Sequence, residues 1–170
     1  IRDLIMTIGE KNMLNIGLVG VRNRFGFNPE EAGRLYEVSQ KLLEPFGKVV
    51  SIENLVMVVD EAQSANELLK SNDLDLLVIQ VATFPSGELL DPLLKDIDAP
   101  VLLWALPEPA FDGGILQFNS LCGVHLYSSL LKRKNHPYHY IHLNPEADVR
   151  ELEVFMKAFR VSKQLKSMRV

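Results

Sequence analysis

Two arginines and two aromatic residues lie within one nine-residue segment, 20–28, with the sequence GVRNRFGFN. Arginine offers a planar fork of N–H donors to a carboxylate, a phosphate or sugar hydroxyls. Arg22 and Phe25 are therefore candidate ligand contacts, and the alternative is a solvated loop anchored by its aromatic rings. The glycine spacing matches neither the P-loop nor the dinucleotide-binding fingerprint, so a flavin or NAD site is unsupported.

A second candidate, Phe84, follows the apolar run Leu74–Gln80 in the segment VATFPSG. An aromatic ring at the tip of a buried strand can form one wall of a ligand pocket. The neighbouring Thr83 and Ser86 are explained without function, because either could cap the helix that follows.

A third candidate is a predicted helix start with the sequence FNSLCG, residues 118–123. Asn119 or Ser120 is the expected N-cap, and free N–H groups at a helix N-terminus can receive an oxyanion or a hydroxyl. Cys122 in the first turn is a candidate reactive thiol if it is exposed. A free cysteine is more often a small buried apolar residue, and we expect that here.

The remaining titratable residues form no recognisable catalytic or metal set. Glu108 and Asp112 could pair as acid and base, although two acids in one loop are usually solvated. His136, His139 and His142 lie on or beside one strand, whose successive residues face opposite sides. No Cys/His/Asp/Glu cluster has ligand spacing. The residues predict a binding edge with no catalytic residue and no metal ligand.

Strands and helices that would position these residues alternate along the chain. The predicted strands are Asn15–Gly20, Lys48–Ile52, Leu74–Gln80, Pro100–Ala105 and Pro137–Leu143. The predicted helices are Pro29–Glu44, Asp60–Lys70, Pro85–Leu94, Asn119–Lys132 and one that opens at Asn144–Glu146. This alternation predicts an α/β three-layer αβα sandwich with a five-stranded parallel sheet in the flavodoxin-like order 2-1-3-4-5. Ligands of such sheets bind at the C-terminal ends of the strands, where the candidate segments converge.

Composition narrows the class of protein further. The 170 residues suit a single domain, and a net charge of −4 argues against nucleic-acid or membrane-surface partners. One cysteine excludes an internal disulfide and fits a cytoplasmic protein. No apolar run is long enough to span a bilayer, and no signal peptide is recognisable. Because the chain opens with isoleucine, we expect residues 1–170 to be the N-terminal domain of something longer.

At these segments the sequence resembles the first domain of the L-fucose/L-arabinose isomerase family. The resemblance rests on order and position: a strand, the Gly20–Gly26 loop and a helix; a strand, Ala82–Gly87 and a helix; a strand, the Pro107 loop and Asn119–Gly123. It extends from about Asn15 to the last helix. Its most specific parts are the Thr-Phe pair and the Asn-Ser-x-x-Gly helix start.

The resemblance implies a metal-dependent isomerase that converts an aldose to a ketose. In that family a divalent metal, usually manganese, binds the open-chain sugar, and carboxylates move a proton between adjacent carbons. The metal ligands lie in later domains, so this segment alone would be inactive and would bind no metal. The first domain packs on a neighbouring subunit and closes its active site, which implies a homo-oligomer with a shared pocket.

Carried over by position, Arg22 and Phe25 match sugar contacts, and Phe84 matches a pocket phenylalanine. Cys122 stands where arabinose isomerases have a histidine that reaches the sugar. The substrate-binding candidates are thus Arg22, Phe25, Phe84, Asn119 and Cys122. Arg22 replaces a glutamine and Phe25 a tyrosine, a pattern of a divergent member, and an arginine would suit an anionic sugar.

A stand-alone binding module is the alternative to an isomerase domain. A flavodoxin-like receiver needs acids at the end of its first strand and an aspartate at the end of its third. Here those positions read Gly20-Val21-Arg22 and Gln80-Val81-Ala82, which argues against a receiver. A sugar-binding or sugar-sensing module remains open.

Overall fold

The computed structural model describes residues 13–109, 113–147 and 149–168. Five strands alternate with five helices in this part of the chain. The strands are β1 (Leu14–Val21), β2 (Gly47–Ser51), β3 (Leu76–Val81), β4 (Val101–Ala105) and β5 (Tyr138–His142). The helices are α1 (Pro29–Leu43), α2 (Val59–Lys70), α3 (Leu90–Leu94), α4 (Ser120–Arg133) and α5 (Arg150–Ser167).

All the strands are parallel, and their order in the sheet is β2-β1-β3-β4-β5. The predicted fold class and strand order are therefore confirmed. Every residue of β3 and β4 is buried, as expected for central strands of a parallel sheet covered on both faces. Helices α2, α3 and α4 pack on one face, and α1 and α5 pack on the other. None of the described helices could cross a bilayer.

Two helices begin several residues later than predicted. Pro85 and Ser86 precede a 3₁₀ turn at Gly87–Leu89, so the α-helix there begins only at Leu90. The last helix begins at Arg150, because Asn144 Oδ1 accepts a hydrogen bond from Glu146 N and closes a separate turn.

Helix α2 begins without the predicted side-chain cap. Asp60 lies inside the helix, and the N-cap Val58 has no side chain that could accept. Glu61 Oε2 instead accepts from Met57 N at 2.8 Å. By contrast, Asn28 caps α1 as predicted, since its Oδ1 accepts from Glu31 N at 3.1 Å.

Candidate functional site

The loop after β1 is held to the ends of the neighbouring strands by hydrogen bonds. Asn23 N donates to Thr83 Oγ1 at 2.8 Å, and Asn23 Oδ1 accepts from Phe25 N at 2.9 Å. At the other end of the loop, Asn28 N donates to Gln117 O at 2.8 Å. Segments after β1, β3 and β4 are therefore joined at one edge of the sheet.

Arg22 is half-buried and forms no ion pair with any described carboxylate. Its backbone N donates to Val56 O at 2.9 Å, and its Nη1 donates to Asn23 O at 3.1 Å. Arg34 on α1 differs, because its guanidinium lies 2.6 Å from the Glu31 carboxylate and 2.7 Å from the Glu146 carboxylate. Most of the Arg22 side-chain N–H donors thus have no partner among the residues that the structure describes.

Arg22 lines a cleft of about 480 Å³ between the start of α1 and the segment that leads into α2. Burial raises the pKa of Tyr36 in the cleft wall, and its hydroxyl donates to Ile52 O at 2.8 Å. The cleft also carries four carboxylates, which can accept hydroxyl hydrogens: Glu30, Glu37, Glu53 and Glu61.

Phe25 lies outside this cleft. Its side chain is 76% exposed, and the Arg24 guanidinium lies 5.5 Å from its ring centroid. The exposed ring is therefore not buried against the described part of the domain, and the alternative of a loop anchored by its aromatic residues is wrong for Phe25.

Phe84 is half-buried where β3 ends, and its backbone N donates to Phe118 O at 2.9 Å. Of the two predicted caps, Ser86 caps the 3₁₀ turn, since its hydroxyl accepts from Glu88 N, whereas the Thr83 hydroxyl accepts from the loop after β1. The Thr83-Phe84 pair therefore joins three segments: Thr83 contacts the first loop, and Phe84 contacts the residues before α4.

Asn119 precedes α4 in a left-handed conformation, with φ of 50°, and its side chain does not cap the helix. The prediction that Asn119 or Ser120 caps the helix is wrong for both, because the Asn119 side chain forms no cap hydrogen bond and the Ser120 hydroxyl bonds groups outside the helix. Ser120 is fully buried; its Oγ accepts from Leu106 N at 2.8 Å and donates to Val81 O. One hydroxyl thus connects the ends of β3 and β4 to the start of α4.

The close approach of α4 to β3 also requires a glycine at position 123. A Cβ at Gly123 would lie 2.5 Å from Pro85 Cδ and 2.7 Å from Val81 Cγ1. The helix-start motif Asn-Ser-x-x-Gly is therefore explained by packing and tethering. Cys122, inside the motif, is exposed, so the expectation of a buried cysteine is wrong.

Glu108 holds the loop after β4 in place. Its carboxylate accepts from Gln117 N at 2.8 Å, from Phe118 N at 2.9 Å and from Asn119 N. The predicted acid partner, Asp112, lies outside the described residues. Glu108 is thus engaged as an anchor for the backbone, a role that a loop acid does not reveal in sequence.

Exposed apolar side chains surround this edge. Four of the large apolar residues that the structure leaves exposed lie in the loops after β1 and β4 and in the first turn of α4: Phe25, Ile115, Leu116 and Leu121. Periodicity could have identified Leu121 only, since the others lie in loops. Several exposed large apolar side chains at one edge of a sheet are typical of a surface that binds a partner or a ligand.

The structure places all five predicted site residues at the C-terminal edge, but not in one cavity. Arg22 lines the cleft beside α1, whereas Phe84, Asn119 and Cys122 belong to the segments around the start of α4. Among the described residues, no three Asp, Glu, His or Cys side chains are placed to hold a metal ion.

A model of the fucose/sulfoquinovose isomerase N-terminal domain matches residues 18–169. Sulfoquinovose isomerase from Alkalicoccus urumqiensis is 32% identical over 146 residues, which are 85% of this chain and 32% of that protein. The enzyme of the same name from Priestia aryabhattai is 31% identical over 120 residues, or 71% of this chain and 26% of that protein. The chain therefore spans less than a third of these relatives.

A solved structure shows the same fold at low identity. Translation elongation factor SelB from Methanococcus maripaludis matches 93% of this chain and 35% of its own, with a TM-score of 0.52 and 14% identity. That likeness concerns the fold alone. The extent of the family match, together with the two bacterial relatives, shows that this chain belongs to the fucose/sulfoquinovose isomerase N-terminal domain family.

Proposed function

We propose that the chain is the N-terminal domain of a longer, metal-dependent aldose–ketose isomerase and that it covers part of the substrate pocket. The observation that carries the proposal is the open edge of the sheet, where the loops after the strands carry exposed apolar side chains and an arginine with no ion pair to any described carboxylate. Apolar surface of this kind is stabilised when a second surface covers it. A neighbouring subunit of a cytoplasmic homo-oligomer would do so.

We propose further that the substrate is an anionic sugar. The relatives are named for sulfoquinovose, a hexose that carries a sulfonate. A guanidinium binds the oxygens of such a group through two parallel N–H donors. Within the described part of the chain, only one Arg22 side-chain hydrogen bond is formed, and the carboxylates of its cleft can accept the sugar hydroxyls.

The division of chemistry follows from the residues present. The resemblance leads us to expect a divalent metal, with manganese the first choice. Among the described residues, no set of side chains is placed to hold such an ion. We therefore assign the metal and the proton transfer to other parts of the longer protein. The contribution of this chain would be to orient the sugar through Arg22. Phe84 and Phe25 would exclude water from the closed pocket.

Arg22→Ala in the full-length enzyme tests the assignment. A charge-assisted hydrogen bond contributes about 1.5–3 kcal/mol, so kcat/KM for sulfoquinovose should fall about 10- to 100-fold, mainly through KM. For a sugar with a methyl group in place of the sulfomethyl group, the same substitution should change kcat/KM little.

Arg24→Ala is the matched control, since Arg24 is exposed and its guanidinium lies over the Phe25 ring. This variant should leave kcat/KM for both sugars almost unchanged. Equal losses for the charged and the neutral sugar in Arg22→Ala would refute recognition of the anion.

The rival function, a stand-alone sugar-binding module, predicts a different result for the 170-residue chain. A complete site would raise its thermal midpoint as sugar is added, by mass action. We expect no saturable shift at millimolar sulfoquinovose, because half of the pocket belongs to other parts of the protein. A saturable shift would favour the module.

A further inference from the structure

Helix α5 carries a second apolar stripe on the side that faces away from the sheet. Its helical members follow one another at intervals of four, three and four residues: Val154, Ala158, Val161 and Leu165. Met168 follows just after the last helical residue, and the four large side chains are 52–66% exposed. At about 100° per residue, this spacing keeps the four helical members within an arc of about 60°.

The opposite face of α5 is fixed to the domain. Leu152 and Met156 are buried in the core, and Arg160 Nη2 donates to Phe46 O at 2.9 Å. Farther along, Lys163 Nζ lies 2.5 Å from Asp75 Oδ1. These contacts prevent the helix from rotating to bury its outer stripe, so the stripe can be covered only by a segment other than those that the structure describes.

A helix with apolar residues on two opposite faces is typical of one that lies between two packed layers. The alternating four- and three-residue spacing is also the pattern of a seam against a second helix. The outer stripe of α5 is distinct from the apolar edge at the strand ends, which lies on other elements.

The size of the stripe indicates which partner covers it. At these exposed fractions its side chains present on the order of 400 Å², whereas a stable interface between separate proteins buries about 800 Å² on each side. A second copy of the chain or a free protein would thus bind weakly through this stripe alone. A tethered segment needs less area, because the tether supplies a local concentration of about millimolar.

We propose that a helix from the remainder of the same polypeptide packs along this stripe and fixes the orientation of the domain. The inference rests on the proposed function only in requiring a longer polypeptide, and not on isomerase activity. The relatives, of which the chain spans less than a third, leave ample sequence for such a helix.

Thiol labelling tests the proposal at one side chain. Leu165→Cys is prepared in the full-length protein and in the 170-residue chain, and labelling by a maleimide is followed peptide by peptide by mass spectrometry. We expect labelling at least tenfold slower in the full-length protein. Ser162→Cys, exposed on the same helix but off the stripe, is the control and should label similarly in both.

Equal labelling of Leu165→Cys in both forms would overturn the proposal, as would a natural gene product without a further segment. Protection in the 170-residue chain that rises with its concentration would assign the stripe to a second copy instead. As an independent measure, Val161→Glu with Leu165→Glu should lower the thermal midpoint of the full-length protein alone. Isomerase activity is assayed separately. If the full-length protein is inactive while the Leu165→Cys thiol is protected, the result counts only against the proposed function.

Discussion

Ser120→Ala removes the one hydroxyl that connects β3, β4 and α4. Ser120 Oγ is buried, accepts from Leu106 N at 2.8 Å and donates to Val81 O. Alanine has nearly the same volume and is a better helix former, so the change isolates the two hydrogen bonds. We therefore use it to ask whether the helix-start motif is structural.

The expected magnitude follows from burial. Leu106 is 1% exposed and Val81 is fully buried, so water cannot readily replace the lost partners. A buried donor left without a partner costs about 1–3 kcal/mol, and the loss of the hydrogen bond to the Val81 carbonyl adds to this. We expect Ser120→Ala to lower the free energy of unfolding by about 2–3 kcal/mol, or the thermal midpoint by about 5–10 °C.

Equilibrium denaturation in urea, followed by circular dichroism, measures the loss. Ser64→Ala is the matched control, because its hydroxyl donates to Asp60 O on the exposed face of α2. That variant should change the free energy by less than about 0.5 kcal/mol. If Ser120→Ala behaved like Ser64→Ala, with an unchanged dependence on urea, the tethering role of Ser120 would be refuted.

The remaining predictions concern close packing and pH. Gly123→Ala should destabilise by about 1–3 kcal/mol in the same assay, because its Cβ would clash with Val81 and Pro85. Gly33→Ala, within α1 and with nothing within 4 Å, should instead stabilise by about 0.5–1 kcal/mol, and a loss there would contradict this. Burial raises the pKa of Tyr127, so the folded chain excludes its phenolate and should lose stability as pH rises above about 10. The part of the phenolate absorbance that Tyr127→Phe removes should then change together with circular dichroism. Ionisation of Tyr127 while the circular dichroism stays native would contradict its burial.

Much of the fold could be predicted from local pattern. The apolar run Leu74–Gln80 predicted a buried strand because only a central parallel strand carries apolar residues on both faces. The Asn28-Pro29 pair predicted the start of α1, since capping and the fixed φ of proline act within one turn. Such signals depend on neighbours in sequence, and the structure confirms them.

Signals that depend on distant residues were misread. Thr83 and Asn119 are residue types that often cap helices. Here Thr83 accepts a hydrogen bond from a loop about sixty residues away in the chain, and the backbone N of Asn119 donates to Glu108, about ten residues away. Glu108 has the sequence of a solvated loop acid, but three backbone N–H groups converge on it. A polar side chain takes the partner that folding brings near, and several partners compete for it.

Taken by itself, the sequence determined the order of strands and helices and placed the candidate residues at one edge of the sheet. It did so because periodicity and capping are local, and because right-handed crossovers leave few arrangements of a parallel sheet. Only the tertiary structure decided that Cys122 is exposed and that, among the described residues, Arg22 has no ion pair and nothing covers the outer stripe of α5. These properties depend on which groups fail to find a partner, and that is settled only when all the segments are packed together.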